Sequence, residues 1–321
     1  MPLPVSQIAY RHAKDIDPEK KIDARQIESL ANIAAERAKD AMRRSLVGYT
    51  DVQRFVLAEI LNSMQITHRT ITTVITHCYG KPESVDVLML ARMQLEGLYN
   101  FCLMLESPSF IDDYLKDGWK KQYVALLLQK EETRALPRFD EFSNVLAPKF
   151  LEDGRVQCGI TEIERLTVDN EQLGTPLPSG VSPQKIKAFP TPGKAVLNIA
   201  PGDRRRMLER LYPEYAELSS FTHALPHSNL LKGLLDSRSL HRKLFTDDQA
   251  KDTSVKDVTE RAIIMSLISI IQCAAEVTER CPNDLDLMAG VTEAWKSFSE
   301  DSLLGKTIWE IRTKKLLRII A

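Results

Sequence analysis

Apolar residues return every three or four positions through most of the chain, the period of an amphipathic helix, and no stretch sustains the alternation of a strand. Ile27, Leu30, Ile33 and Ala34 begin the series, and Gly48 with Thr50-Asp51 breaks and recaps it. A second helix is predicted over 52–78 with Phe55, Ala58, Leu61, Ile71 and Ile75 inside, ended by "YGKPES". A third follows over 84–106, and Ser107-Pro108 starts a fourth that runs to about Arg134, ahead of Pro137. "DEFSNVLAPKFLEDG" and "GITEIERLTVDNEQL" each read as a short helix. Residues 174–202 hold six prolines and four glycines, which no regular helix accepts. Helices resume at Asp203 and run to Pro226, with Pro213 at the first turn of a new helix or at a kink. Further helices are predicted over 255–280 and 284–298, the second capped from "CPND", before a terminal amphipathic "IWEIRTKKLLRII". The pattern predicts an all-α protein: a helical bundle with an irregular proline-rich insertion. Its parts are an N-terminal half over 1–135, an insertion or lid over 136–202, and a C-terminal half of the same bundle over 203–321.

Polar residues inside apolar helices carry the chemical interest. "LMLARMQLEGLYNFCLML" is apolar nearly all round, which marks a central helix. Arg92, Glu96 and Asn100 fall in one line there, flanked by Met89, Met93, Tyr99 and Leu103. The charges are either a buried or cleft-lining pair, where stranding one partner costs about 3–5 kcal/mol, or a surface i,i+4 pair worth about 0.2–0.5 kcal/mol. In "LYPEYAELSSFTHALPHSNLL", Tyr215, Leu218, Ser219, Thr222 and Leu225 mark an inward face, and Tyr212, Ala216, Ser219 and His223 its edge. His223, near the helix C-terminus, is placed where the dipole favours a protonated ring. Ser266, Ser269, Gln272 and Glu276 cross the most apolar helix, the two serines expected to bond back to their own carbonyls. Gln65, His68 and Thr72 form another mixed line, and His77 is expected to serve the dipole at a helix end. The arginines of "GDRRRML" and those of "RTKKLLR" are expected in solvated turns, with an anion site the alternative for the first.

Composition narrows the function classes. Forty-three basic and 44 acidic residues leave a net charge of −1, so wholesale electrostatic capture of RNA or an anionic membrane gets no support. Cys78, Cys102, Cys158, Cys273 and Cys281 form no C-x-x-C pair, so neither a disulfide framework nor a zinc site is expected. "MPLPVSQIAYRHAKD" has no secretory pattern, and "AIIMSLISIIQCAAEV" is too short and interrupted to cross a membrane. A cytoplasmic location follows as the expectation. Phosphate-binding glycine loops, H-E-x-x-H, calcium loops and the G-x-S-x-G elbow are all missing, so no cofactor and no metal is expected.

"ARMQLEGLYN" with Arg92 and Glu96, and "YAELSSFTH" with Tyr215, Ser219 and His223, resemble the helices of a mostly bacterial, all-helical family classed as a domain of unknown function. The resemblance covers about residues 53–235 without the proline-rich middle, and the family is similar in outline to HEPN bundles, several of them defence or toxin ribonucleases. The HEPN Arg-x(4–6)-His motif is not intact: "RTITTVITH" has seven intervening residues and "RSLH" two. The expectation is therefore a scaffold or regulatory binding module with a buried Arg/Glu/His cluster, working with a protein partner or as a homodimer; the alternative is a HEPN-like ribonuclease or other phosphate-handling enzyme. Candidate catalytic groups are His223, Arg92 and Glu96, and candidate ligand contacts are Ser219, Tyr215 and Asn100.

Overall fold

Ala31, Ala34, Ala35, Ala38 and Ala41 share one face of the first helix, α1 (Ala24–Ser45), and all are fully buried. Side chains this short let neighbouring backbones come close, and α1 packs on α2 (Asp51–Cys78), α9 (Asp248–Arg280) and α10 (Leu285–Ser299). Gly48, at φ 85°, supplies the left-handed residue of the turn after α1. Thr50 then caps α2 reciprocally: its Oγ1 accepts from Gln53 N at 3.3 Å, and Gln53 Oε1 accepts from Thr50 N at 3.0 Å. Leu57, Leu61, Met64, Ile71 and Ile75 form the buried line of α2. Phe55, expected among them, is 61% exposed, because two residues' rotation puts it nearly opposite Leu57.

These coordinates come from a computed structural model that describes residues 24–78, 87–132, 147–223, 248–299 and 302–318, all of whose regular elements are helical. At the centre of the bundle, α3 (Val87–Glu106) lies against α9, with α2 along α3 on one side and α8 (Asp203–His223) along it on another. Gly97 permits the close passage of α2; a β-carbon there would sit 3.0 Å from Met64 Sδ. Every residue from 265 to 278 of α9 is buried. The apolar stretch is longer than the expected 262–277: residues Glu260–Arg280 are long and apolar enough to cross a membrane, but 83% of that stretch is buried inside the structure. Asp284 caps α10 by accepting from Leu287 N at 3.0 Å. The chain closes with α11 (Leu303–Ile308), a π-helical turn at Trp309–Thr313, and α12 (Lys314–Arg318), which pack against α8, α9 and α10.

Among the described residues, the ionisable His68 is sealed into this core without a counter-charge. His68, fully buried on α2, has its Nδ1 2.8 Å from Ser266 Oγ on α9 while its Nε2 meets no partner. Ser266 thus bonds across helices rather than to its own carbonyl, whereas Ser269 does donate to Met265 O at 2.7 Å. Burial pushes the His68 imidazole down from 6.5 to about 4. The folded state therefore favours the neutral ring, and the unfolded chain takes up the proton first. Stability is expected to fall by on the order of 3 kcal/mol as pH drops from 6.5 to about 4. His68→Asn should flatten that stretch of a urea-stability profile above the carboxylate range; an unchanged slope would assign the acid sensitivity elsewhere.

Contacts divide the chain into two compact units, residues 1–106 with 192–321, and Ser107–Thr191. These boundaries differ from the expected 136–202 insertion. The reason lies in α4 (Ser109–Glu132): its Trp119 and Leu126 share one small core with residues of α5 (Ala147–Gln157) and α6 (Glu162–Leu173). Trp119 Nε1 donates to Leu151 O at 2.8 Å, and its ring stacks on Tyr123 at 4.7 Å. A Thr161–Glu164 capping box starts α6, and Gly174 at φ 68° ends it. The proline-rich run beyond is extended but anchored: Ile186 enters the small core, Gln184 N donates to Thr167 Oγ1 at 3.0 Å, and Phe189 meets Tyr114 edge-on at 5.1 Å. Pro192 begins a short helix of the bundle, α7 (Pro192–Asn198), at the first position, where a missing N–H is harmless.

Candidate functional site

The seam between α3 and α8 is built from side chains spaced to share one face. On α3 these are Arg92, Glu96 and Tyr99; on α8 they are Leu208, Tyr212, Tyr215 and Ser219. Tyr99 donates to Leu208 O at 2.7 Å, and further along Arg92 reaches Tyr215 and Ser219, so the two helices run antiparallel. Pro213 lies inside α8, and the helix is continuous from Asp203 to His223, so no new helix starts there. The missing Pro213 N–H leaves the Glu209 carbonyl without its intrahelical donor. Arg261 of α9 clamps the outer side of α8 through Glu214 and through Glu217, the latter at 2.7 Å.

Arg92 is the hub of the seam. Its Nε donates to Ser219 Oγ at 3.1 Å and one terminal nitrogen to Tyr215 Oη at 3.3 Å. Its Cζ stands 5.6 Å from the Tyr215 ring centroid, a cation–π contact. Glu96 lies 3.4 Å away as an ion pair, with 38% of its side chain exposed against 18% for Arg92. Tyr99 and Tyr212 flank the Tyr215 ring at 5.8 and 6.0 Å. Gly193 of α7 lets Tyr212 approach; a β-carbon there would meet its hydroxyl at 3.0 Å. Met89 and Met93 are exposed, so the Arg92 line runs along the rim of the bundle rather than through its middle.

Four of the six candidate residues, Arg92, Glu96, Tyr215 and Ser219, therefore meet. Asn100 is half-buried two turns along α3 and makes none of the bonds that hold Arg92. His223 is the last residue of α8, and its side chain lies outside the described residues, as do Thr222, Leu225 and the "RSLH" segment. His77 is exposed at the end of α2 and donates Nδ1–H to Thr73 O at 2.8 Å, a local helix-end contact.

A larger charge cluster escapes the sequence reading. Arg204, expected in a solvated turn, is 7% exposed and reaches three carboxylates: Glu106 and Glu276, each at 2.7 Å, and Glu279. Arg312, also expected in solvent, is 8% exposed and bonds Glu276 at 2.7 and 2.9 Å and Glu279 at 2.8 Å. Gln272 donates to Glu276 at 2.8 Å, and Thr313 donates to Gln272 at 2.7 Å. The π-helical turn turns both Arg312 and Thr313 inward, a local widening of the kind that serves special sites in other helices. Burial alone would raise the Glu276 carboxyl, but hydrogen bonds from Arg312 and the charge of Arg204 outweigh it and hold the group at about 2. A clue was present: Arg204 shares its i, i+3, i+4, i+7 line with buried Met207, Leu208 and Leu211. Both guanidiniums of the cluster are aimed at carboxylates of this chain, which ties four segments of the bundle together.

No family model matches the sequence, and neither a curated protein nor a solved structure matches it at a significant level.

Proposed function

We propose that this chain is a scaffold or regulatory binding module rather than an enzyme, its interhelical charges holding one arrangement of otherwise interchangeable apolar helices. The observation that supports the reading is the Arg204–Glu276–Arg312 network, which joins α3, α8, α9 and the π-helical turn and directs its donors at this chain's own carboxylates. Such networks are a plausible means of specifying a single packing, at little net gain in stability over a well-packed apolar core. On this reading Arg92 belongs to the same design, at the rim, where α3 and α8 present a surface to a partner or to a second copy. Arg92→Ala is expected to cost about 1–3 kcal/mol through lost bonds to a charged group, with partner binding or self-association falling in step. Urea unfolding beside light scattering measures both. The competing reading, a HEPN-like ribonuclease in a bacterial defence or toxin system, draws on the convergence of Arg92, Tyr215 and Ser219 on a helix that ends at His223. Cleavage of RNA by the purified chain, lost in both Arg92→Ala and His223→Ala with unfolding curves unchanged, would establish that reading and overturn ours.

A further inference from the structure

Resting on the binding-module reading, we infer that Arg92, held by Ser219 and Tyr215, is a receptor for a small oxyanion, a phosphate or carboxylate carried on an apolar group, with Glu96 as its internal stand-in. The buried and half-buried arginines that bridge helices of the bundle are unevenly compensated. Arg204 faces three carboxylates, and Arg261 and Arg312 face two each. Arg92 is mostly withdrawn from water, yet its two hydrogen bonds go to neutral hydroxyls and the face beneath it is an aromatic ring. Those contacts fix the plane of the guanidinium without cancelling its charge.

The remaining partner is Glu96, one turn away on the same helix. It approaches to 3.4 Å as an ion pair, beyond the usual length of a charge-assisted hydrogen bond, and is more than a third exposed. A half-buried i,i+4 pair of this length, open to water on the Glu96 side, contributes little and exchanges readily with solvent. Arg92 is therefore preorganised by Ser219 and Tyr215 and only loosely neutralised. A fixed planar fork of this type suits a phosphate or carboxylate, which accepts two parallel N–H bonds. The Tyr215 hydroxyl, accepting from Arg92, has its own O–H to donate to the same anion. Met89, Met93 and Tyr212, each exposed by 41% or more, surround Arg92 with apolar surface, which suits an oxyanion borne on an aliphatic or aromatic group.

The ligand displaces Glu96 and takes its place on Arg92. Isothermal titration of the full chain at low salt with inorganic phosphate, phenyl phosphate and benzoate tests this. Phenyl phosphate should bind more tightly than inorganic phosphate, and the benzoate arm tells a phosphate receptor from a carboxylate one. Glu96→Gln, which removes the competitor from an exposed position, should tighten binding by about fivefold. Arg92→Gln should abolish it, and Tyr215→Phe should weaken it while circular dichroism stays unchanged. Absence of binding to wild type and to Glu96→Gln alike overturns the inference, as does equal binding in Arg92→Gln. Should Arg92→Gln fail to fold, the direction of the Glu96→Gln change decides. Absence of anion binding leaves the scaffold reading standing, whereas RNA cleavage beside intact anion binding removes the scaffold reading alone.

Discussion

Glu276→Ala is expected to destabilise the bundle by about 3–5 kcal/mol, lowering its melting temperature by on the order of 10 °C. The side chain is fully buried and accepts from Arg204, Arg312 and Gln272 at 2.7–2.9 Å. Removing it leaves two guanidiniums mostly out of water with Glu279 shared between them. The same pairing has an acid signature. The folded carboxyl sits at about 2, below its ordinary 4.5, so its contribution is fully present above pH 4.5 and is lost as pH falls through about 2. Glu276→Gln keeps the shape and removes the charge, and should erase that part of the acid limb while remaining less stable than wild type at neutral pH. Urea unfolding followed by circular dichroism reads both quantities. A loss under about 1 kcal/mol for Glu276→Ala would mean that the two guanidiniums find water in solution, and the network would no longer explain how these helices are fixed.

The second large effect belongs to residues Ser107–Thr191. Trp119→Ala is expected to cost about 3–5 kcal/mol, which is most of the stability that so small a core supplies. Among the described residues that core has six buried members, Trp119, Leu126, Leu151, Ile160, Val168 and Ile186, and Trp119 also satisfies the Leu151 carbonyl and stacks on Tyr123. The other two tryptophans, Trp295 and Trp309, lie in the bundle. In Trp119→Ala their fluorescence should report an unchanged bundle transition, while circular dichroism shows an earlier loss of helix from α4, α5 and α6. A single coincident transition would show that the two contact-defined units unfold as one.

Much of this architecture was legible before any coordinates. Thr50 and Asp284 stand where helices begin, and Gly48 where one turns, because capping and left-handed turns depend on residues within a few positions of one another. The centrality of α3 could be read from its lack of a polar face, and the meeting of Arg92 with Tyr215 and Ser219 from two helices that carried polar groups beside apolar ones. Other assignments failed for a common reason. Phe55 was placed inside by hydrophobicity alone, although its angular position on α2 points it outward. Arg204 and Arg312 were placed in solvent because three basic residues in a row, or a basic tail, usually are. Their carboxylate partners lie 33–98 positions away, and nothing local marks such a pairing. The boundary near residue 136 was drawn at prolines, while the division at Ser107 follows from where α4 buries Trp119 and Leu126.

By itself the sequence determined most of the helices and several of their ends, since these rest on periodicity and on bonds that close within one or two turns. Only the tertiary structure decided which charges are withdrawn from water and what neutralises them. Desolvation and Coulomb attraction depend on distance in space, and the groups that set them for Arg92, Arg204, His68 and Glu276 come from separate helices.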